Sequence, residues 1–251
     1  MRLNSNLKRI AFALASKLST LKIPFSVSQK IIKHLAIESY LDFWHVRPMN
    51  GQKNRLRAIY YLARILKPTH AIETGSYLGT TTQYLTSMVG EKTFSIEINK
   101  NFLDISKRRL KNEIDSGVLE LILGDSKIQI KKILKILDPE RHRILVYLDA
   151  HWLDYVPLKE EIQSLLDWGG VFIAIIDDFM VPSDIGYGFD RYRDTQIDIS
   201  QIPKSEKISV WIPSEPAFLE SGAKRGTAYL IHAKISSRVF SNITELRISP
   251  Y

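Results

Sequence analysis

Acidic residues and one histidine follow two strongly apolar runs of the chain. Asp149 and His151 come just after the first run, and Asp177 and Asp178 directly follow the second. Such runs are typical of buried strands in a parallel sheet, whose neighbouring ends lie about 5 Å apart. Converging carboxylates are costly unless a cation compensates them. We therefore predict a metal site at Asp149, Asp177 and Asp178 for Mg²⁺ or another hard divalent cation. The alternative is that these acids only cap or turn the chain.

His151 is the candidate catalytic base beside this predicted metal. An oxygen-rich site without cysteine disfavours zinc, and the chain contains no cysteine. A histidine close to a metal can remove the proton from a coordinated hydroxyl. Three roles stay open at this point: His151 as the base, Asp149 as a metal-bound base, and a purely structural His151.

A second group of residues has the composition of a nucleoside site. The sequence ETGSYLGTTT at 73–82 follows another apolar run, and Gly75 and Gly79 allow a tight turn before a helix. Tyr77 stands where dinucleotide-binding loops have their middle glycine, so a pyrophosphate is disfavoured. Glu97, 22 residues after Gly75, can accept hydrogen bonds from both ribose hydroxyls. The predicted ligand is an adenosine without a diphosphate.

The residues predicted to bind this adenosine-containing ligand, which would be a cofactor, come from strand ends and the loops after them. They are Glu73, Gly75, Ser76, Tyr77, Gly79, Thr80, Thr81, Glu97, Ile98, Asp125, Ser126, Asp149 and Trp152. Asp125 and Ser126 are placed to meet the adenine edge, although capping of the next helix explains them equally well. The alternatives for the rest are a purely structural turn at the glycines and an exposed surface position for Glu97.

The elements that must position these residues alternate along the chain. Short apolar runs predict strands at 70–74, 93–98, 118–123, 143–148 and 171–176, with later runs at 208–212 and 227–233. Amphipathic segments predict helices at 51–66, 79–89, 101–115, 126–137 and 157–168. This alternation indicates a doubly wound, mostly parallel α/β sheet, in which ligands bind outside the carboxyl ends of the strands. Both predicted sites fall at that edge.

The positive charge is concentrated in an N-terminal arm. The net charge is +8, but the first 37 residues carry seven basic residues and no acid, which leaves 28 basic against 27 acidic residues. No nucleic-acid partner is therefore expected. Leucines at helical spacing predict an amphipathic helix that packs on the domain or on another subunit of a homo-oligomer; residues 1–22 could instead contact a membrane surface. We expect a helical extension at 1–48, a main domain at 49–235, a tail at 236–251 and a cytoplasmic protein without a membrane span.

Five motifs in register resemble one enzyme family. ETGSYLG, IEINKNF, GDS, LDAHW and IIDDF, spread over about residues 50–180, resemble class I S-adenosylmethionine-dependent methyltransferases. The closest group is the metal-dependent catechol O-methyltransferase and macrocin O-methyltransferase type. The resemblance implies a seven-stranded Rossmann-like sheet, S-adenosylmethionine as cofactor and a metal held at the three aspartates. The catechol-type pattern is Asp-His-Trp-Lys; here Ala150 is inserted and Leu153 replaces the lysine base.

The expected function is transfer of a methyl group to a hydroxyl, with a vicinal diol on a sugar, a catechol or a natural product as acceptor. In-line displacement from the sulfonium requires mainly that donor and acceptor be held in line. The loop at 184–194, with Tyr187, Phe189 and Tyr192, is the predicted lid over the acceptor. Two alternatives are a metal-dependent oxygenase or hydrolase on this fold, and a membrane-associated module that binds S-adenosylmethionine without catalysis.

Overall fold

The computed structural model describes residues 47–152, 155–182, 184–235 and 243–249. Residues 1–46 of the predicted helical extension, with the amphipathic arm, lie outside the described residues. None of the helices in the described part of the chain is long and apolar enough to cross a membrane.

Strands and helices alternate along the main domain, as the apolar pattern predicts. The helices are α1 (Lys53–Leu66), α2 (Thr80–Thr86), α3 (Lys100–Arg109), α4 (Lys111–Asp115), α5 (Ser126–Ile136) and α6 (Leu158–Trp168). The strands are β1 (His70–Thr74), β2 (Lys92–Glu97), β3 (Leu119–Leu123), β4 (Arg143–Leu148), β5 (Val171–Ile176), β6 (Arg191–Tyr192), β7 (Thr195–Gln196), β8 (Ile208–Pro213), β9 (Ala228–His232) and β10 (Leu246–Ile248).

The main sheet has the strand order β10-β8-β9-β5-β4-β1-β2-β3. β1 to β5 are parallel, and β9, β8 and β10 join by antiparallel pairing. The predicted doubly wound α/β architecture is confirmed, but the sheet has eight strands and not seven. The extra strand is β10, in which Leu246 pairs with Pro213. β10 lies within residues 236–251, which the sequence analysis assigned to the tail.

Alternate residues of the central strands feed two separate hydrophobic cores. Ile72 and Val146 belong to the core that includes residues of α5 and α6. Ala71 and Leu145 belong to the core on the other face, beneath α1. Because both faces are covered, the strands are apolar at nearly every position. Residues beyond the carboxyl ends of β1, β2, β4 and β5 therefore meet at one edge of a rigid sheet.

Candidate functional site

The turn at 75–79 is packed tightly against the end of β4. The amide of Gly75 donates to the carbonyl oxygen of Ile96 at 2.8 Å, and Gly75 has a φ of +85°. A Cβ at Gly75 would lie 2.4 Å from the backbone oxygen of Asp149, and one at Gly79 would lie 2.9 Å from the side chain of Leu110. Both glycines are therefore explained by close packing within the chain. The same packing brings the predicted nucleoside turn into contact with the backbone of a predicted metal ligand.

Glu97 fixes the shape of this turn. Its carboxylate accepts hydrogen bonds from the amide of Tyr77 at 2.9 Å and the amide of Asn99 at 2.8 Å. The side chain is buried, and burial raises the pKa of Glu97 although these amides oppose the shift. A carboxylate has about four lone-pair sites, so two stay available to ribose hydroxyls. The neighbouring Ile98 is 63% exposed, which leaves an apolar side chain open to a planar base.

Several other predicted cofactor residues have structural partners. The carboxylate of Asp125 caps α5 by accepting from the amide of Lys127 at 3.0 Å, and it also accepts from the hydroxyl of Tyr155. The hydroxyl of Thr81 accepts from the amide of Met49 at 3.1 Å, which ties the segment before α1 to α2. The hydrogen bond from Lys127 to Asp125 supports the alternative given above, in which Asp125 caps the next helix.

Four more of the predicted cofactor residues, Ser76, Thr80, Ser126 and Trp152, are buried or partly buried. Ser76 is buried, and its hydroxyl has no hydrogen-bond partner among the described residues. Thr80 and Ser126 are buried at the starts of α2 and α5. Trp152 is partly buried, and its backbone amide donates to the carbonyl oxygen of Tyr155 at 2.9 Å. An unpartnered buried hydroxyl is costly, so Ser76 fits a position that a ligand covers.

Glu73 is the predicted cofactor residue that the structure places inside the fold. Its carboxyl group is buried and accepts hydrogen bonds from the hydroxyls of Thr82 and Ser95. Burial raises the pKa of Glu73 to about 7, against an ordinary 4.5, although the two hydroxyls lower it. Glu73 therefore holds β1, β2 and α2 together below the site.

This shift predicts a pH-dependent loss of stability. The folded protein binds the Glu73 proton more tightly than the unfolded chain, so the stabilisation is complete below pH 4.5 and is lost as pH rises through about 7. In the wild-type protein this contribution to the free energy of unfolding should fall by on the order of 3 kcal/mol between pH 4.5 and pH 7. Glu73→Gln should not show this fall, because glutamine does not titrate. Urea unfolding at a series of pH values measures it. Exposed Glu120→Gln should keep the wild-type profile, and a Glu73→Gln profile parallel to wild type would contradict the assignment.

Asp149, His151 and Asp178 form a group able to hold a cation. One ligand atom from each lies within 4.8 Å of the others. The Nε2 atom of His151 is 3.9 Å from Oδ1 of Asp149 and 4.0 Å from Oδ2 of Asp178. His151 is 4% exposed, and its Nε2 atom has no hydrogen-bond partner among the described residues. A buried nitrogen without a partner, facing two carboxylates, fits a place for a proton or a cation.

Asp177, the third predicted metal ligand, is committed to other contacts. Its Oδ1 atom accepts from Arg55 Nη1 at 2.6 Å, and its Oδ2 atom accepts from the hydroxyl of Tyr147 at 2.6 Å and from Asn50 Nδ2 at 2.8 Å. Burial alone would raise the pKa of Asp177, but Arg55 and Tyr147 lower it overall. Asp177 is therefore not a member of the group formed by Asp149, His151 and Asp178, and its role as a metal ligand stays a prediction. The reason is strand alternation: Asp177 shares the face of Ile173 and Ile175, which points toward α1.

The charge around the cation group is only partly balanced. Arg225 donates to both Asp178 and Asp190, and Asp190 also accepts from the hydroxyl of Tyr192. Burial raises the pKa of Asp149 well above its usual range, and the negative charges of Asp177 and Asp178 raise it further. An added cation would therefore favour the ionised form of Asp149.

The predicted lid at 184–194 is anchored to the domain. Tyr187 is buried in the core and donates to the carbonyl oxygen of Glu215 at 3.0 Å, so its ring does not stack on an acceptor. Gly188 pairs with residues of the 224–226 segment through two backbone hydrogen bonds of 2.8 and 2.7 Å. The ring of Tyr192, by contrast, lies 6.2 Å from that of His151, centre to centre. Tyr192 is therefore the residue of the predicted lid that lies beside His151.

Sequence reasoning missed the two arginines that pair with Asp177, Asp178 and Asp190. Arg55 lies on the buried face of α1, next to Ile59 and Leu62 in the helical repeat. The signal was present, since an arginine in the apolar stripe of an amphipathic helix requires an acidic partner. Arg225 follows a loop without periodicity, and no pattern marks it.

Two solved structures resemble the chain over nearly their whole length. A candidate caffeoyl-CoA O-methyltransferase from Staphylococcus aureus shares 14% identity, with 89% of this chain and 99% of that chain covered and a TM-score of 0.52. An O-methyltransferase from Bacillus cereus, in complex with S-adenosylhomocysteine, shares 14% identity, with 87% and 97% covered and a TM-score of 0.52. No protein-family model and no curated protein matches the sequence. The chain therefore has a Rossmann-like methyltransferase fold.

Proposed function

We propose that this protein is an enzyme that transfers the methyl group of S-adenosylmethionine to a hydroxyl oxygen of a small molecule, with help from a divalent cation such as Mg²⁺. One observation carries the proposal: the turn that would hold the nucleoside touches Asp149, which belongs to the group with His151 and Asp178. Methyl donor and cation would thus be neighbours at one edge of the sheet. The solved relative in complex with S-adenosylhomocysteine, the product of methyl donation, is consistent with this.

The residues of the nucleoside half have separable roles. Glu97 would accept hydrogen bonds from the ribose hydroxyls, and Ile98 would cover one face of the adenine. The unpartnered hydroxyl of Ser76 would gain a partner from the bound cofactor. These contacts orient the sulfonium methyl toward the cation group, and holding two reactants in line supplies much of the rate enhancement in such transfers.

In the acceptor half, Asp149 and Asp178 would hold the cation, and His151 would act as the base. A bound divalent cation lowers the pKa of a hydroxyl that it coordinates. The Nε2 atom of His151 would take the hydroxyl proton, since it has no partner among the described residues. The resulting imidazolium would be stabilised by the carboxylates at 3.9 and 4.0 Å. Tyr192 would form one wall of the acceptor pocket.

A vicinal diol is the acceptor class that this arrangement favours. Mg²⁺ keeps about six oxygen ligands, and two carboxylates leave several positions for paired hydroxyls or water. The catechol-type lysine has no counterpart here, which favours a sugar or natural-product scaffold over a catechol.

The test is formation of S-adenosylhomocysteine from S-adenosylmethionine with a panel of sugar and catechol diols. Turnover should require Mg²⁺, stop in EDTA, and fall at least about 100-fold in His151→Gln and Asp178→Asn, because each loses a proton acceptor or a ligand. Asp167→Asn, an exposed acid on α6, is the matched control and should keep full turnover. Turnover that persists in EDTA and in both variants would refute the cation-assisted mechanism. Metal-dependent product formation without S-adenosylmethionine would instead favour the oxygenase or hydrolase alternative.

A further inference from the structure

We propose that His70, Glu91 and His142 form a zinc-binding site at the amino ends of the central strands, remote from the proposed active site. One ring nitrogen of each histidine and one carboxylate oxygen of Glu91 lie within 4.8 Å of one another. Two imidazoles and one carboxylate form a donor set that zinc accepts, with a water molecule as the fourth ligand.

The hydrogen bonds around His70 indicate that its Nε2 atom, which faces the carboxylate of Glu91, is a hydrogen-bond acceptor. The hydroxyl of Thr69 donates to the carbonyl oxygen of Arg143 at 3.1 Å, so toward the imidazole it can only accept. The Nδ1 atom of His70, 3.0 Å from that hydroxyl, therefore carries the proton. The Nε2 atom keeps its lone pair and lies 3.6 Å from the carboxylate of Glu91. A lone pair beside a carboxylate is repulsive unless a proton or a metal cation lies between them, and the second imidazole nearby makes a metal cation the occupant that all three groups can share.

His142 has the same proton arrangement. Its Nδ1 atom is 3.1 Å from the carbonyl oxygen of Asp138, which can only accept, so Nδ1 is the donor and Nε2 is the nitrogen with a lone pair. The two imidazole rings are perpendicular, with centres 4.9 Å apart. Histidines that bind metals usually donate their second ring N–H to a carbonyl or another oxygen, and both histidines here do so.

The distances and the burial also suit a metal. Ligands of tetrahedral zinc lie roughly 3.3 Å apart, close to the 3.6 Å between His70 and Glu91. The Glu91 side chain is 55% exposed and can adjust its position. The His70 side chain, by contrast, is 8% exposed and stacks on the ring of Phe94, so its position is fixed by packing.

Bound zinc would join three adjacent strands at the edge opposite the proposed active site. His70 begins β1, Glu91 directly precedes β2, and His142 directly precedes β4. β1 pairs with both other strands, so the ion would hold the centre of the sheet at one end. We therefore assign the site a stabilising role and no part in the methyl-transfer chemistry.

The test titrates the full chain with Zn²⁺ after removal of metal by a chelator. An Asp149→Asn, His151→Gln, Asp178→Asn background removes all three members of the cation group at the other edge. This background protein should bind one zinc ion per chain with a Kd in the micromolar range or lower. His142→Ala and Glu91→Gln should each weaken binding at least about tenfold, whereas Glu140→Gln, an exposed acid in the loop before β4, should not.

Thermal unfolding provides a second reading. Excess Zn²⁺ should raise the Tm of the background protein by about 5 °C or more, and this rise should disappear in the His142→Ala and Glu91→Gln variants. The proposal is overturned if the background binds no zinc, or if both substitutions leave affinity and the Tm rise unchanged. Neither outcome depends on methyl transfer, so failure here and failure of the proposed enzymatic function are distinguishable.

Discussion

Replacing Arg55 with methionine is expected to lower the free energy of unfolding by about 3–5 kcal/mol. The Arg55–Asp177 ion pair has both side chains 1% exposed, with 2.6 Å between Nη1 and Oδ1. Among the described residues, methionine leaves the buried Asp177 carboxylate with Tyr147 and Asn50 as its side-chain hydrogen-bond partners. An uncompensated buried charge costs far more than a surface ion pair contributes. Urea unfolding measures the change.

The matched control is Arg57→Met, an exposed arginine on the same helix, which should change stability by no more than about 0.5 kcal/mol. Adding Asp177→Asn to Arg55→Met removes the unpaired charge, so the double variant should recover part of the lost stability. Equal losses in Arg55→Met and Arg57→Met would show that the buried pair does not carry this energy.

Replacing Glu97 with alanine is expected to weaken binding of S-adenosylhomocysteine at least about 100-fold. Glu97 would accept two hydrogen bonds from the ribose, and a hydrogen bond to a charged group contributes about 1.5–3 kcal/mol. Glu97→Gln keeps one acceptor oxygen and should lose less. The control is Glu120→Gln, an exposed acid on β3 that pairs with Lys92. Circular dichroism would confirm that the variants fold, because Glu97 also accepts from the amide of Tyr77. Unchanged affinity in Glu97→Ala would place the nucleoside elsewhere.

The central strands could be predicted because each is a short apolar run bounded by polar residues. β1, β4 and β5 begin and end where the pattern places them, and β2 differs by one residue at each end. β10 could not be predicted, since it has only three residues and Arg247 and Ile248 are exposed. The helix predicted at 101–115 is divided at Leu110, whose ψ of 27° departs from helical geometry; no glycine or proline marks that break.

The candidate site was predictable in its position and less so in its membership. Strand ends identified Asp149, Asp178 and Glu97, because a parallel sheet gathers its carboxyl ends at one edge. The pattern alone did not distinguish Asp177, which pairs with Arg55, from Asp178, which faces His151, because consecutive side chains point to opposite faces. Its partner Arg55 lies 122 residues away, and such a long-range contact has no local signature.

The most direct measurement is a calorimetric titration of the wild-type protein with S-adenosylhomocysteine, with and without Mg²⁺. The proposed function predicts binding at one site per chain with a Kd in the micromolar range, about −8 kcal/mol. Absence of binding under both metal conditions would contradict the methyltransferase assignment at its first step and leave the acids at the strand ends to another chemistry.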